Sequence, residues 1–322
     1  MQQAPLRVVF MGTPDFAVPS LQTLIDHPEV ATVVTVFTQP DRPAGRGQQL
    51  HKPPIKELAE KYGIPVHQPE KLNTQPINRQ LADCFADIFV IVAYSHFLSN
   101  AVLNIPRLGC VNVHSSLLPK YRGAAPIHWA ILKGDNETGV STIKLVEKMD
   151  AGPVLMQRSV PIPEDMTLSD LHDSLSKVGA NLLIDTLIQM QNRTVIEKDQ
   201  DETQVSYAPK IRKSDGVLNW DEQGIDIIRK IRAFKPWPGT FVHSTEGIFK
   251  VHKAEFHKAF SGAPYNLVPG EYYSKTGSFL VRCKDGWIEL LEVQPEGKKI
   301  MLVHEFMNGI QNHQNFSFLS KP

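Results

Sequence analysis

Asn112-Val113-His114 closes a short run, Gly109 to His114, that reads as a strand. Side chains two apart in a strand lie on one side of the sheet, so the Asn112 amide and the His114 imidazole reach into one cleft while Val111 and Val113 pack behind them. An amide N–H can donate to an oxygen that is gaining negative charge. An imidazole, with an unperturbed pKa of about 6.5, can stabilise such a charge or move a proton. A third group is needed to orient the imidazole, and Asp150 offers one. It lies in Lys148-Met149-Asp150-Ala151-Gly152-Pro153, a turn-like stretch after the predicted strand Val140–Val146. An Asp before Ala-Gly is also ordinary turn chemistry, so residue type alone leaves both readings open. Other chemistries lack their signatures. There is no H-E-x-x-H or paired histidine spacing for a metal, and no G-x-S-x-G nucleophile turn. Gly12-Thr13-Pro14-Asp15-Phe16-Ala17 has one glycine where a dinucleotide fingerprint needs three.

The elements that must position these residues are legible in the hydrophobic pattern. Leu6–Met11, Ala31–Thr38, Pro65–His67, Ile88–Ala93 and Gly109–His114 read as strands, and Val18–Ile25, Ile55–Tyr62 and Ile77–Phe85 as helices between them. The unbroken apolar run of Ile88–Ala93 suits a central strand buried on both faces. Alternation of strand and helix predicts an α/β fold with a doubly wound, parallel-type sheet, whose ligands sit beyond the carboxyl ends of the strands. Gln39–Pro54 reads as a long irregular stretch, a length that usually marks function or disorder. Thr167–Met190 carries a helical period that closes the first domain, and Asn192–Thr203 is polar and aperiodic. After it come one clear helix, Ile225–Phe234, and short strand-like runs at Phe241–Val242, Ile248–Val251, Phe279–Arg282 and Trp287–Val293, a spacing that predicts a small β-barrel. The expected division is residues 1–191, a linker at 192–207, and a β-barrel domain at 208–322.

Composition narrows the class. The chain has 322 residues, 42% apolar and 21% charged, enough for two domains with real cores. It has 34 basic and 34 acidic residues, which excludes a strongly basic whole-chain nucleic-acid binder. The charges are unevenly placed, with 18 basic against 22 acidic residues in 1–207 and 16 against 12 in 208–322. Solvated faces account for such an imbalance, as does a polyanion met by the second part. Three scattered cysteines, Cys84, Cys110 and Cys283, fit buried thiols in a reducing compartment. No apolar segment approaches the ~18 residues of a membrane span, and the N-terminus lacks a signal-peptide pattern. The expected location is the cytoplasm, with no membrane association and no obligate protein partner evident.

Several blocks resemble the methionyl-tRNA formyltransferase family, within the wider 10-formyltetrahydrofolate-dependent transferases. They are Gly12-Thr13-Pro14-Asp15-Phe16, Gln39-Pro40-Asp41-Arg42-Pro43-Ala44-Gly45-Arg46-Gly47, Asn112 to Pro119, Arg122-Gly123-Ala124-Ala125-Pro126-Ile127 and Asp150-Ala151-Gly152. Arg232 to Pro238 and Leu291 to Lys299 extend the resemblance into the second part. It implies transfer of a formyl group from 10-formyltetrahydrofolate, the co-substrate, to the α-amine of methionyl initiator tRNA, with no metal and no redox cofactor. It carries over Asn112, His114 and Asp150 as catalytic. Folate contacts are expected from Ser116, Leu117, Leu118 and Pro119 and from Ala93, Tyr94 and Ser95. Ser95 stands where the family has glycine, the residue suited to a positive φ. For tRNA the resemblance points to Arg42, Arg46 and Lys52 in the loop, and the positive second part offers Lys210, Arg212, Lys213, Lys298 and Lys299. Gln48-Gln49 stands where the family has further basic residues, so the loop's electrostatic grip is expected to be weaker. The same trio would also serve a formyltransferase acting on a nucleotide-linked amino sugar, and a non-catalytic RNA- or folate-binding relative could keep the fold. How proton transfer divides between His114 and Asp150 stays open.

Overall fold

A computed structural model describes residues 4–44, 49–264, 266–275, 277–309 and 316–319. In chain order the first elements are β1 (Leu6–Gly12), α1 (Val18–Asp26), β2 (Ala31–Phe37), β3 (Arg42–Ala44), β4 (Gln49–His51), α2 (Pro54–Lys61), β5 (Val66–His67), α3 (Gln75–Asp83), β6 (Ile88–Val92), α4 (Asn100–Leu103) and β7 (Cys110–His114). There follow β8 (Arg122–Gly123), α5 (Pro126–Lys133), β9 (Glu137–Lys144), β10 (Val154–Pro161), α6 (Leu168–Asn192) and β11 (Tyr207–Ala208). The last are α7 (Gly224–Ala233), β12 (Thr240–Ser244), β13 (Gly247–His257), β14 (Tyr272–Lys275), β15 (Ser278–Arg282), β16 (Trp287–Gln294), β17 (Met301–Leu302) and α8 (Val303–Gly309). They divide into two compact units. One holds residues 1–126, 137–161 and 172–208; the other holds 127–136, 162–171 and 209–322.

The sheet of the first unit runs β10-β9-β7-β6-β1-β2-β5. The strands from β7 to β5 are mutually parallel, while β9 pairs antiparallel with both β7 and β10. The chain winds outward from β1 through β2 to β5, then returns to β6 on the other side of β1. That reversal opens a crevice at the carboxyl ends of β1 and β6, beside β7. All five residues of β6 are buried, as a strand covered on both faces requires. Val9, Met11, Phe37, Phe89, Ile91 and Cys110 anchor the core beneath the crevice.

Two stretches are more ordered than the sequence suggests. Gln39–Pro54, expected to be irregular, contains the antiparallel ladder of β3 and β4, with Arg42 opposite His51. At its base the Asp41 carboxylate accepts from Lys56 Nζ and from Gln68 Nε2, and these bonds, Gln68's first, hold its pKa below the usual carboxylate range. The polar segment read as a linker is fastened to the first unit. Lys198 exchanges two backbone hydrogen bonds with Val154, and β11 pairs in parallel with β8.

In the second unit β12-β13-β16-β15-β14 form an antiparallel sheet, with β17 added beside β16. Its core is aromatic: Phe249, Phe279, Phe306, Phe316, Phe318 and Trp220 are all buried, with Phe249 ringed by three of the others at centroid distances of 4.9–5.7 Å. Such tilted and edge-on rings fill a small core with few residues.

Candidate active site

The carboxyl end of β7 places Asn112 and His114 as the strand period predicts. Val113 faces α6, which approaches so closely that a Cβ added at Gly179 would lie 2.9 Å from a Val113 methyl. Asn112 and His114 therefore face the opposite side of the sheet. His114 is buried, at 6% exposure, and its Nε2 lies 3.0 Å from the Tyr121 carbonyl oxygen. A carbonyl only accepts, which assigns the ring proton to Nε2 and leaves Nδ1 to take or release a proton. Nδ1 lies 3.8 Å from Asp150 Oδ1, within reach of an ion pair when the ring is protonated. The half-buried Asn112 side chain forms no hydrogen bond among the described residues, so both of its amide N–H donors are available.

Asp150 arrives from the loop between β9 and β10, which is closed at its base by a bond from the Lys144 N–H to the Pro153 carbonyl. Its backbone is left-handed, with φ of 50°, a conformation Asp tolerates better than most residues at a cost of order 1–3 kcal/mol. The Gly123 N–H donates to Asp150 Oδ2 at 2.8 Å, fixing one carboxylate oxygen and turning the other to His114. Gln200 Nε2 donates to the carbonyls of both Asp150 and Gly152 at 2.7 Å. Gln200 Oε1 in turn accepts from Arg122 Nε and Nη2. The Arg122 side chain is 1% exposed and also pairs with Glu202, whose pKa it pulls down. Gly152 is required by close approach, because a Cβ there would collide with the Lys144 carbonyl oxygen.

The other expected ligand residues lie around this pair. Ala93, with φ of 47°, begins the loop after β6; Ser95, standing where the family has glycine, is not among the left-handed residues. The turn thus takes its unusual φ two residues earlier, and Ser95 meets no steric penalty. Tyr94 is buried and its hydroxyl has no partner among the described residues; burial pushes its pKa well above the ordinary phenol value. His96 packs its ring edge-on to Tyr94 at 5.1 Å, and its Nε2 is likewise buried without a partner among those residues. The Ser116–Pro119 turn is braced from β9 and β10. Ser141 Oγ donates to the Ser116 carbonyl, and Gln157 Nε2 donates to the Leu118 carbonyl and to Ser141 Oγ. The Ser116 hydroxyl is turned inward to the Lys120 carbonyl. Leu117 and Pro119 stay half-buried and Leu118 is 4% exposed.

Among the basic residues, Arg42 is exposed on β3. Lys52 is engaged at 2.7 Å by Glu60, a bond that raises its pKa. Arg46 lies outside the described residues. Lys210, Arg212, Lys213, Lys298 and Lys299 are exposed in the second unit and form no ion pair among the described residues. A histidine–carboxylate group, Glu255, His257 and Glu289, also lies in the second unit. There His257 Nε2 is hydrogen-bonded to Glu289 at 2.8 Å. Sequence reasoning missed Ser141, Gln157, Gln200 and the buried state of Arg122.

Comparison with known proteins gives the class. Residues 6–187 match the family described as "Formyl transferase", and residues 210–311 match "Formyl transferase, C-terminal domain". The fold recurs in WlaRD, a sugar 3N-formyl transferase, with a TM-score of 0.65 at 19% identity over 91% of this chain and 99% of that one. It recurs also in an N-formyltransferase from Helicobacter canadensis, with a TM-score of 0.64 at 21% identity, over 88% and 98%. This is a formyl-group transferase. Curated methionyl-tRNA formyltransferases from Trichlorobacter lovleyi and Methylococcus capsulatus are 41% and 43% identical to it, over 94% of this chain and 94% and 96% of theirs. The chain belongs to the methionyl-tRNA formyltransferase family.

Replacing Gly152 with alanine forces the Asp150 loop away from β9. The substitution is expected to destabilise the protein by about 1–3 kcal/mol, read from the urea midpoint. An unchanged midpoint would show that the loop relaxes freely.

Proposed function

We propose that this enzyme moves the formyl group of 10-formyltetrahydrofolate to the α-amine of methionyl initiator tRNA, yielding N-formylmethionyl-tRNA for translation initiation in the cytoplasm. The observation that carries the acceptor is kinship over nearly the whole chain at 41–43% identity with enzymes named for it. The sugar formyltransferases resemble this chain at 19–21% identity, a level that speaks to fold alone. In this reading residues 1–191 form the catalytic domain and 208–322 the tRNA-binding domain.

The proposed chemistry follows from the free donors and the assigned imidazole proton. The attacking amine must be neutral; an α-amino group titrates at about 7.7–8.0, so roughly a tenth to a sixth of molecules are neutral at pH 7, a cost of only about 1 kcal/mol. Its nitrogen adds to the formyl carbon and the carbonyl oxygen takes the negative charge. The Asn112 amide, with no protein partner among the described residues, donates to that oxygen. The proton shed by the amine passes to His114 Nδ1, and the Asp150 carboxylate at 3.8 Å balances the imidazolium that forms. As the bond to the folate nitrogen breaks, the proton returns to that nitrogen, and the imidazole is neutral again. Ala93, Tyr94 and Ser95, with Ser116–Pro119, flank the crevice where folate would lie.

The acceptor is tested by offering purified enzyme 10-formyltetrahydrofolate with methionyl initiator tRNA, methionyl elongator tRNA or a nucleotide-linked amino sugar. Formylation of the initiator tRNA is expected; transfer to the sugar and not to tRNA would overturn the assignment. Binding of tRNA is expected to weaken as salt rises. Replacing Lys298 and Lys299 together with alanine should flatten the slope of log K against log salt by about 2, roughly one per lost phosphate contact. An unaltered slope would remove both lysines from the tRNA surface.

A further inference from the structure

Gln200 stands 50 residues beyond Asp150 in the chain, in the polar segment after α6, and its whole side-chain amide is committed to the active-site frame. Oε1 accepts from Arg122 Nε at 3.0 Å and Nη2 at 2.8 Å; Nε2 donates at 2.7 Å to the Asp150 carbonyl and at 2.7 Å to the Gly152 carbonyl. Only one orientation of the amide satisfies all four bonds. A guanidinium only donates and a carbonyl only accepts, so the flipped amide would set like against like at every contact. Arg122 is itself buried and tied to Glu202 at 2.8 Å, so it backs Gln200 from behind. The two carbonyls that Gln200 holds bracket Ala151. They belong to the span that begins at left-handed Asp150, whose carboxylate meets the Gly123 N–H and faces His114.

We infer that Gln200 is a positioning residue for formyl transfer: backed by Arg122, it holds the Asp150 loop by two carbonyls and so sets the Asp150 carboxylate beside His114. This rests on the formyl-transfer reading for its kinetic test, and a second measurement is independent of that reading.

The kinetic test compares Gln200→Ala in the otherwise wild-type enzyme and in Asp150→Ala. In the first background kcat is expected to fall by about 10²-fold, the scale of a misplaced catalytic group, with KM for 10-formyltetrahydrofolate within about twofold. In the second, Gln200→Ala is expected to lower kcat by less than about twofold, because the group through which it acts is gone. Equal losses in both backgrounds, or a rise in KM alone, would overturn the inference. Gln200→Glu guards against a folding defect. It keeps the side-chain size and the bonds from Arg122 but turns an oxygen toward the two carbonyls, and should reproduce the loss while its melting curve shows the protein still folded at the assay temperature. The independent measurement is amide hydrogen exchange. In Gln200→Glu the Gly123 amide, released as the Asp150 carboxylate drifts, should exchange about tenfold faster while β1 and β6 do not change. An unaltered Gly123 rate would refute the clamp. A wild-type enzyme that transferred no formyl group would refute the functional reading and leave the exchange result to decide the clamp.

Discussion

A carboxylate and an imidazole that lie on different elements must be brought to within 4 Å in a half-enclosed crevice, and much of the first unit is arranged to satisfy that constraint. His114 ends a short central strand, and its ring is locked by one bond to the Tyr121 carbonyl. Asp150 comes from the loop between two antiparallel strands added at the sheet's edge, and it reaches the imidazole only because its backbone turns left-handed. A single N–H, from Gly123, divides the carboxylate's two oxygens between scaffold and site. The strain of the turn is offset by hydrogen bonds to its carbonyls, a common arrangement where a backbone is held in a sparsely populated region for function.

Three left-handed residues without glycine's freedom gather at this crevice: Ala93 after β6, Tyr121 beside His114, and Asp150. Each lies at a point where a carbonyl or a side chain has to turn toward the ligand edge. The Tyr121 N–H donates to Ser206 while its carbonyl accepts from His114, so the tautomer of the imidazole depends on a segment more than 80 residues away. In the proposed reaction such a site is preorganised: its donors and acceptors stand in place before substrate arrives, which would keep reorganisation out of the barrier.

The parallel core was legible because strands buried on both faces leave continuous apolar runs, as Ile88–Val92 does. The common side of Asn112 and His114 followed from the two-residue period alone. Contacts made across long sequence separations left no such trace. Residues 192–207 read as a linker because polar, aperiodic sequence looks alike whether solvated or bound to carbonyls, yet Gln200 and Lys198 both fasten to the first unit. Ser141 and Gln157, which brace the Ser116–Pro119 turn, sit on strands whose pattern reports burial but not hydrogen-bond partners. Nothing in the sequence marks Arg122 as buried; its burial goes with Gln200 and Glu202, 78 and 80 residues on. Lys52, which the resemblance offers to tRNA, is engaged by Glu60. Gly152 was visible as a turn glycine, but the reason for it, the Lys144 carbonyl alongside, is tertiary.

The central claim is that the Asn112 amide at the end of β7, which has no hydrogen-bond partner among the described residues, receives the charge that forms in the proposed transfer. It is tested most directly by single-turnover formyl transfer with Asn112→Ala at saturating folate and tRNA. Loss of that donor is expected to slow the step by about 10²–10³-fold with folate affinity retained. A rate within a few-fold of wild type would contradict the account and move oxyanion stabilisation to another group.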